Sequence, residues 1–132
     1  ASWLMNMQEM GTAVQYKLPV KQFILNNERL GMVRQWQELL HGERYSHSWS
    51  DALPDFVKLA EAFGIKGIRI KRPADVKRKI KEALDYNDGP LVIHAEVVKQ
   101  DNVFPMVPAG GSADEMLIER PKRKMKKPKG ST

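Results

Sequence analysis

The fold is decided by the stretch Val20-Lys21-Gln22-Phe23-Ile24-Leu25-Asn26-Asn27, an apolar run that ends in two adjacent amides. A short run rich in Val, Ile and Phe, preceded by Pro19, predicts a buried strand of a parallel sheet. In open parallel sheets, ligands bind just beyond the carboxyl ends of the strands. The two amides therefore predict a ligand site, where an Asn oxygen meets a hard cation or an Asn amide meets a phosphate. The alternative is a turn, for which Asn is also a common residue.

On both sides of this strand, hydrophobic spacing alternates between helical and extended patterns. Apolar residues at intervals of three and four predict helices over residues 3–16, 32–40, 56–63 and 73–86. Short runs rich in branched residues predict further strands over residues 67–70 and 91–98. The order α, β, α, α, β, α, β predicts one α/β domain, with a parallel sheet and helices on both faces.

Each predicted helix has an apolar face that we expect to be buried. In the first helix this face comprises Leu4, Met7, Met10, Ala13 and Val14, and Gly11 would allow a close approach by a neighbouring backbone or ligand. In the second helix it comprises Met32, Val33, Trp36, Leu39 and Leu40. In the last it comprises Val76, Ile80, Ala83 and Leu84. Taken alone, the second pattern predicts that Trp36 packs in the core.

Composition narrows the class of protein. A chain of 132 residues with 42% hydrophobic residues can build one compact core. We expect no membrane association, because no stretch approaches the roughly 20 apolar residues that span a bilayer. The absence of Cys from the sequence excludes disulfides, thiolate metal sites and a Cys nucleophile.

The basic character of the chain is confined to its last residues. The net charge is +6, and seven Lys and Arg residues lie between positions 120 and 129, so residues 1–119 carry a net charge of −1. Pro, Gly and a lack of apolar residues predict that residues 118–132 form a disordered basic tail. No aromatic residue alternates with these charges to stack on bases, so a solvated tail is favoured and nucleic acid is not an expected partner.

Other common site motifs find little support. Ser46, His47 and Asp51 are the residue types of a hydrolase triad, but no Gly-x-Ser-x-Gly turn follows a strand. His41, His47 and His94 lack the spacing of a zinc site, and we expect His94 to be a core or sheet-edge imidazole. The irregular residues 41–50 form a loop of the kind that often covers a site.

Several longer runs resemble one enzyme family. They are Met5-Asn6-Met7-Gln8-Glu9-Met10-Gly11, Ile24-Leu25-Asn26-Asn27, Leu30-Gly31-Met32-Val33-Arg34-Gln35-Trp36-Gln37, Tyr45-Ser46-His47 and Pro105-Met106-Val107-Pro108-Ala109-Gly110-Gly111. Together they are similar to the catalytic large subunit of acetohydroxyacid synthase (acetolactate synthase), in its C-terminal portion that binds thiamine diphosphate. The resemblance extends to about Glu115 and leaves the basic tail outside.

The resemblance implies a set of site residues. The family motif for thiamine diphosphate begins with Gly-Asp-Gly or Gly-Asp-Ala, then Ser, and closes with Asn-Asn, whereas this chain begins at Ala1-Ser2 and so lacks the motif's Asp. Asn27 matches the side-chain ligand of Mg²⁺, and Arg29 matches a position that gives a backbone carbonyl. The diphosphate would lie along Ala1, Ser2, Gly31 and Met32. The substrate channel, which is also the herbicide-binding channel of the family, would include Val33, Trp36 and Ala109.

The resemblance also implies a reaction and partners. The family decarboxylates pyruvate on thiamine diphosphate and ligates the hydroxyethyl unit to pyruvate or 2-oxobutanoate, in branched-chain amino acid synthesis. We expect a truncated domain over residues 1–99, an arm or lid over 100–117, and the tail. The activating glutamate, the FAD site, a second catalytic subunit and a regulatory small subunit would lie outside this chain, so we expect the isolated chain to be inactive. The compartment would be the cytoplasm in bacteria, or a plastid or mitochondrion in eukaryotes.

Two other functions stay open at this point. One is a binding protein without catalysis that uses the basic tail. The other is a different thiamine-dependent decarboxylase or ligase. Neither explains the run from Met32 to Gln37 together with the arm.

Overall fold

A computed structural model describes residues 2–120. The chain forms two compact units. The first unit contains residues 2–27 and 52–98, and the second contains residues 28–51 and 99–120. Residues 28–51 thus group with the predicted arm, while Ala1 and residues 121–132, and with them most of the predicted tail, lie outside the described residues.

The first unit is built on a parallel sheet, as the strand spacing predicts. Its strands are β1 (Lys21–Asn26), β2 (Lys66–Ile70) and β3 (Leu91–Glu96), in the order β1-β3-β2. Ile24 pairs with His94, and Arg69 pairs with His94 from the other side. The strands are parallel, so all three carboxyl ends lie at one edge of the sheet.

Helices cover both faces of this sheet. A 3-10 helix (Ser2–Asn6), α1 (Glu9–Gln15) and α3 (Phe56–Ala62) flank β1 and β2 in sequence, and α4 (Pro73–Asp85) connects β2 to β3. On one face, Ile24 and Val92 pack with Met10 of α1 and with Phe56 and Ala60 of α3. On the opposite face, the residues that pack with Ala83 of α4 are Ile68, Ile70, Leu91 and Ile93. The predicted arrangement of a parallel sheet between helices is confirmed.

Local signals explain where these helices begin and end. The Asp55 carboxylate accepts hydrogen bonds from the backbone N–H groups of Val57 (3.0 Å) and Lys58 (3.2 Å), which caps α3. Gly64 follows that helix with φ +76°, a conformation that disfavours residues with a Cβ. Pro73 occupies the first turn of α4, where its missing N–H costs nothing.

The second unit contains α2 (Gly31–Leu39) and the arm. The arm forms a closed turn, because the backbone N–H of Met106 donates to Leu117 (2.9 Å) and the N–H of Leu117 donates back (2.7 Å). A short 3-10 helix, Ala113–Glu115, lies inside this turn and is capped by Ser112. None of the helices within residues 2–120 is long and apolar enough to cross a membrane.

Three expectations about helix faces are wrong. The first predicted helix is two elements, because a turn at Met7-Gln8 separates them, and Met7 is exposed. A Cβ added at Gly11 would meet no atom within 4 Å, so this glycine does not serve a close approach. In α4, Val76 and Leu84 are exposed although the helical spacing placed them inward.

The largest difference concerns α2. Met32, Val33 and Trp36 are exposed, whereas Arg34, Gln35 and Leu39 are buried. The polar pair fills the inner face because hydrogen bonds satisfy much of it there. The prediction that Trp36 packs in the core is therefore wrong.

Candidate functional site

The carboxyl edge of the sheet in the first unit carries several polar side chains. Asn26 ends β1, and its side-chain nitrogen lies 3.1 Å from Nε2 of His94 on β3. Asn27, the predicted magnesium ligand, is the next residue along the chain. The predicted position of the amides at a strand end is thus the observed one.

His94 is buried beneath this edge. Only 4% of its surface is exposed, and its ring meets the Phe56 ring edge-on at 5.1 Å. Burial lowers the pKa of His94, and the positive charge of Arg69 lowers it further. Within residues 2–120 its Nδ1 atom has no hydrogen-bond partner. We therefore describe His94 as a neutral imidazole at neutral pH.

Ion pairs surround the same edge. Arg69 contacts the Asp55 carboxylate and lies 3.9 Å from Glu96, which in turn lies 3.4 Å from Lys71. The pKa of Asp55 is lowered, chiefly because its carboxylate accepts the backbone N–H of Lys58. The edge therefore carries both signs of charge next to the ends of the strands.

In the second unit, the residues after Asn27 turn sharply. Glu28 has φ +56°, an uncommon conformation for a residue with a side chain, and its side chain contacts Lys99. A short bridge fixes the next residues, because Ser50 N–H donates to Glu28 (3.2 Å) and Leu30 N–H donates to Ser48 (2.8 Å). The Arg29 guanidinium lies 5.8 Å from the centre of the Trp49 ring. The backbone around Arg29 is therefore held in one conformation.

Helix α2 begins immediately after this bridge. Leu30 precedes it, and no side chain within the described residues caps its first turn. The first N–H groups of a helix have no partner inside the helix and form a positive end that attracts anions. Gly31 and Met32, which the resemblance assigns to the diphosphate, supply the first two of these groups.

Three of the predicted channel and cofactor residues line one cavity. Its volume is about 600 Å³, and it is lined by Met32, Val33, Trp36, Gln37, His41 and Arg44. Trp36 is 38% exposed, so part of its surface is accessible. Ala109 is exposed in the turn of the arm and is not among the residues that line this cavity. The structure thus brings Met32, Val33 and Trp36 together, and it does not add Ala109 to them.

The sequence did not predict some of the residues that line this cavity. Gln37, His41 and Arg44 also line the cavity, but the resemblance assigned no role to Gln37, and His41 and Arg44 match no motif. His41 and Arg44 lie in the irregular segment after α2, so no helical spacing in the sequence marks them. The buried pair Arg34 and Gln35 gave no signal, since polar residues next to Trp36 suggest a solvated face.

The other predicted cofactor residues lie at the start of the chain. Ser2 begins the first 3-10 helix, and Ala1 lies outside the described residues. Among the described residues, no three His, Asp or Glu side chains gather as a metal site would need. The donors that the resemblance implies for Mg²⁺ are instead an Asn amide oxygen and a backbone carbonyl, which are both oxygen ligands of the kind that hard cations bind.

Comparison with known proteins identifies the domain. Residues 1–95 match the model of the thiamine pyrophosphate enzyme, C-terminal TPP binding domain. The chain is 48% identical over 125 residues to the acetolactate synthase large subunit of Pyropia yezoensis, covering 93% of this chain and 21% of that protein. It is 47% identical over 116 residues to the acetolactate synthase isozyme 2 large subunit of Escherichia coli, covering 88% of this chain and 21% of that protein.

A solved structure of a thiamine diphosphate-dependent enzyme is also similar to this chain. The thiamine diphosphate-dependent 4-hydroxybenzoylformate decarboxylase of Rhodococcus jostii aligns with a TM-score of 0.66 and 28% identity, over 77% of this chain and 19% of that one. The chain thus spans about a fifth of the length of these relatives. Since the family model covers most of the chain, the chain belongs to the thiamine pyrophosphate enzymes, carries sequence of their C-terminal TPP-binding domain, and is similar to acetolactate synthase large subunits.

Proposed function

We propose that this chain is the C-terminal cofactor-binding part of an acetolactate synthase, which joins the hydroxyethyl unit of pyruvate to a second pyruvate or to 2-oxobutanoate. The observation that carries the proposal is the identity of 47–48% to acetolactate synthase large subunits over about nine-tenths of the chain. A different thiamine-dependent decarboxylase is the second candidate, and it rests on the structural likeness to the Rhodococcus jostii enzyme at only 28% identity.

The magnesium ion is proposed to bind at Asn27 and Arg29. Asn27 would offer its side-chain oxygen and Arg29 its backbone carbonyl, so the Arg29 side chain is not needed for this role. The support is the position of Asn27 directly after β1, and the fixed backbone on either side of Arg29. Both donors are oxygens, which suits Mg²⁺ better than it suits a softer metal.

The diphosphate of the cofactor is proposed to meet the start of α2. There the N–H groups of Gly31 and Met32 would donate to phosphate oxygens, with the helix dipole favouring the negative charge. Ser2 and Ala1 are proposed to contribute at the same cofactor. When bound, thiamine diphosphate supplies the electron sink for decarboxylation and carbon–carbon bond formation.

The substrate channel is proposed to lie along Val33 and Trp36. The exposed face of the Trp36 indole would form an aromatic wall that selects the second 2-oxo acid by shape and excludes water. The cavity that both residues line supports this role. Ala109 is proposed to join the channel from the arm, and the same residues are proposed to contact herbicides.

We propose several further features for the full-length polypeptide that carries this chain. They include FAD, a second catalytic subunit that supplies the activating glutamate, a regulatory small subunit, and residence in the cytoplasm, a plastid or a mitochondrion. The basic residues after position 120 have no assigned role in catalysis, and salt-dependent DNA binding lost on deleting them would favour a binding protein instead.

The test uses the full-length polypeptide that carries this chain. We expect it to form acetolactate from pyruvate when magnesium and thiamine diphosphate are present, and Asn27→Ala to weaken cofactor binding by about tenfold or more in isothermal titration. Asn87→Ala, an exposed Asn on the same unit, is the control and should bind normally. Release of an aldehyde without acetolactate would favour the decarboxylase.

A further inference from the structure

The inner face of α2 carries two buried polar side chains that lie against the arm. Arg34 is 4% exposed and Gln35 is 1% exposed. Burying a guanidinium and an amide is costly unless their hydrogen-bonding groups find partners. Apart from Glu38 on α2 itself, their partners lie in residues 100–106, within the same compact unit.

The Gln35 side chain both donates a hydrogen bond to the backbone of Val103 and accepts one from it. Its Nε2 donates to the carbonyl of Val103 (2.9 Å), and the Val103 N–H donates to its Oε1 (2.7 Å). Its Nε2 also lies 3.0 Å from Sδ of Met106. A side-chain amide that satisfies both backbone groups of Val103 fixes the position of that residue along the helix.

Arg34 binds the residues just before Val103. Its Nη2 donates to the carbonyls of Gln100 and Asp101, both at 3.1 Å, and contacts the Asn102 side chain. Its Nη1 lies 2.5 Å from Glu38, whose other oxygen accepts from Asn102 at 3.3 Å. The planar guanidinium can bind these groups together, which a lysine ammonium with its single nitrogen cannot reproduce.

These contacts, which we call the arm anchor, oppose the cavity across the helix. Val33 and Trp36 lie on either side of Arg34 and Gln35 in sequence, but they point outward. Because helix residues turn as one body, the anchor sets the rotation of α2 and with it the direction of the outer face. The closed turn that carries Ala109 begins at Met106, directly after the anchored residues.

We propose that Arg34 and Gln35 are positioning residues that set the acceptor specificity of the channel. They touch neither substrate nor cofactor, and they act by holding the arm and the outer face of α2 in one arrangement. This inference rests on the proposed function, since it concerns the choice between pyruvate and 2-oxobutanoate as the second acid. Loosening the anchor should change that choice before it changes the chemistry of the first acid.

The experiment compares Gln35→Met and Arg34→Lys with the wild type in the full-length polypeptide. Gln15→Met on α1 and Arg78→Lys on α4 are matched controls, because both wild-type residues are exposed. The Val103 amide should exchange with deuterium about tenfold faster in Gln35→Met, as expected for one lost hydrogen bond. The product ratio from mixed pyruvate and 2-oxobutanoate should shift by about threefold or more in both anchor variants.

Two further readouts separate positioning from a general loss of structure. The kcat with pyruvate alone and the affinity for thiamine diphosphate should change by less than about twofold. An unchanged product ratio in Arg34→Lys and Gln35→Met would overturn the inference, as would equal shifts in the control variants. If the wild type ligates neither acid, the proposed function fails and takes this inference with it. An active wild type with unchanged variants rejects the inference alone.

Discussion

His94 places a titratable ring in the interior of the first unit, beside the carboxyl end of β1. Its Nε2 meets Asn26, the residue before the proposed magnesium ligand, and its ring packs on Phe56 at the start of α3. A buried imidazole that stays neutral avoids the cost of a buried charge. From the sequence, His94 could be placed on a strand, but its burial depends on Phe56, which is far away along the chain.

Because the pKa of His94 is lowered, the free energy of unfolding should depend on pH. Below its ordinary pKa of 6.5, the unfolded state takes up the proton before the folded state does, so the free energy of unfolding should fall as the solution is acidified. Above that pH the ring is neutral in both states and contributes no slope. Urea unfolding at several values between about pH 7.5 and about pH 5.5 measures this.

His94→Asn should remove this part of the pH dependence. His47→Asn is the matched control, because His47 is exposed and its φ of +51° is one that Asn tolerates. The control should keep the full slope of the wild type. A wild-type slope that persists in His94→Asn would mean that other groups cause it.

At the scale of elements, helix α2 shows that local sequence can predict where a helix begins and ends but not which of its faces is buried. The bounds of α2, α3 and the three strands follow from local signals such as the Asp55 cap and Gly64, and they agree with the structure to within a few residues. The face of α2 that is buried depends on partners 66 to 71 residues away in the chain. Periodicity therefore predicted the helix and the burial of Leu39, but it wrongly placed Met32, Val33 and Trp36 inward.

The difference between the predicted and the observed buried face of α2 leads to a prediction about stability. Val33 is 48% exposed and Leu39 is 9% exposed, although the periodic pattern places both on one face. Val33→Ala should change the free energy of unfolding by about 0.5 kcal/mol or less, because little area is lost and Ala favours helix. Leu39→Ala should cost about 2–4 kcal/mol, since it leaves a cavity.

Denaturant unfolding followed by circular dichroism compares the two variants directly. Both change a branched apolar residue of the same helix to Ala, so each serves as the control for the other. Equal losses of more than about 1.5 kcal/mol in both would restore the pattern with Val33 inside.

At the scale of the whole molecule, each compact unit contains some of the residues proposed to bind the cofactor, and the sheet lies within the first unit. The sheet has three strands, and on the α4 side of β1 the side chains of Phe23 and Leu25 are exposed. The position of Asn27 after a strand predicted a ligand site there, whereas only the resemblance assigned functions to Gly31 and Trp36, because no spacing rule describes the cofactor and the channel. The two acetolactate synthase large subunits compared above are about five times longer than this chain.

This difference in length leads to a prediction about binding by the isolated 132-residue chain. Proteins bind Mg²⁺ through one or two carboxylates together with phosphate oxygens and waters, and the proposal assigns to this chain only the Asn27 amide oxygen and the Arg29 carbonyl, so the ion would lack its charged protein ligand. We expect titration calorimetry with magnesium and thiamine diphosphate to show no binding tighter than about 1 mM, and we expect no acetolactate from pyruvate. The full-length polypeptide, titrated in parallel, should bind in the micromolar range, because the remaining ligands and the activating glutamate are then supplied. Micromolar binding by the isolated chain would show that residues 1–132 hold a complete cofactor site, and the assignment of the missing ligands to other parts of the polypeptide would then be wrong.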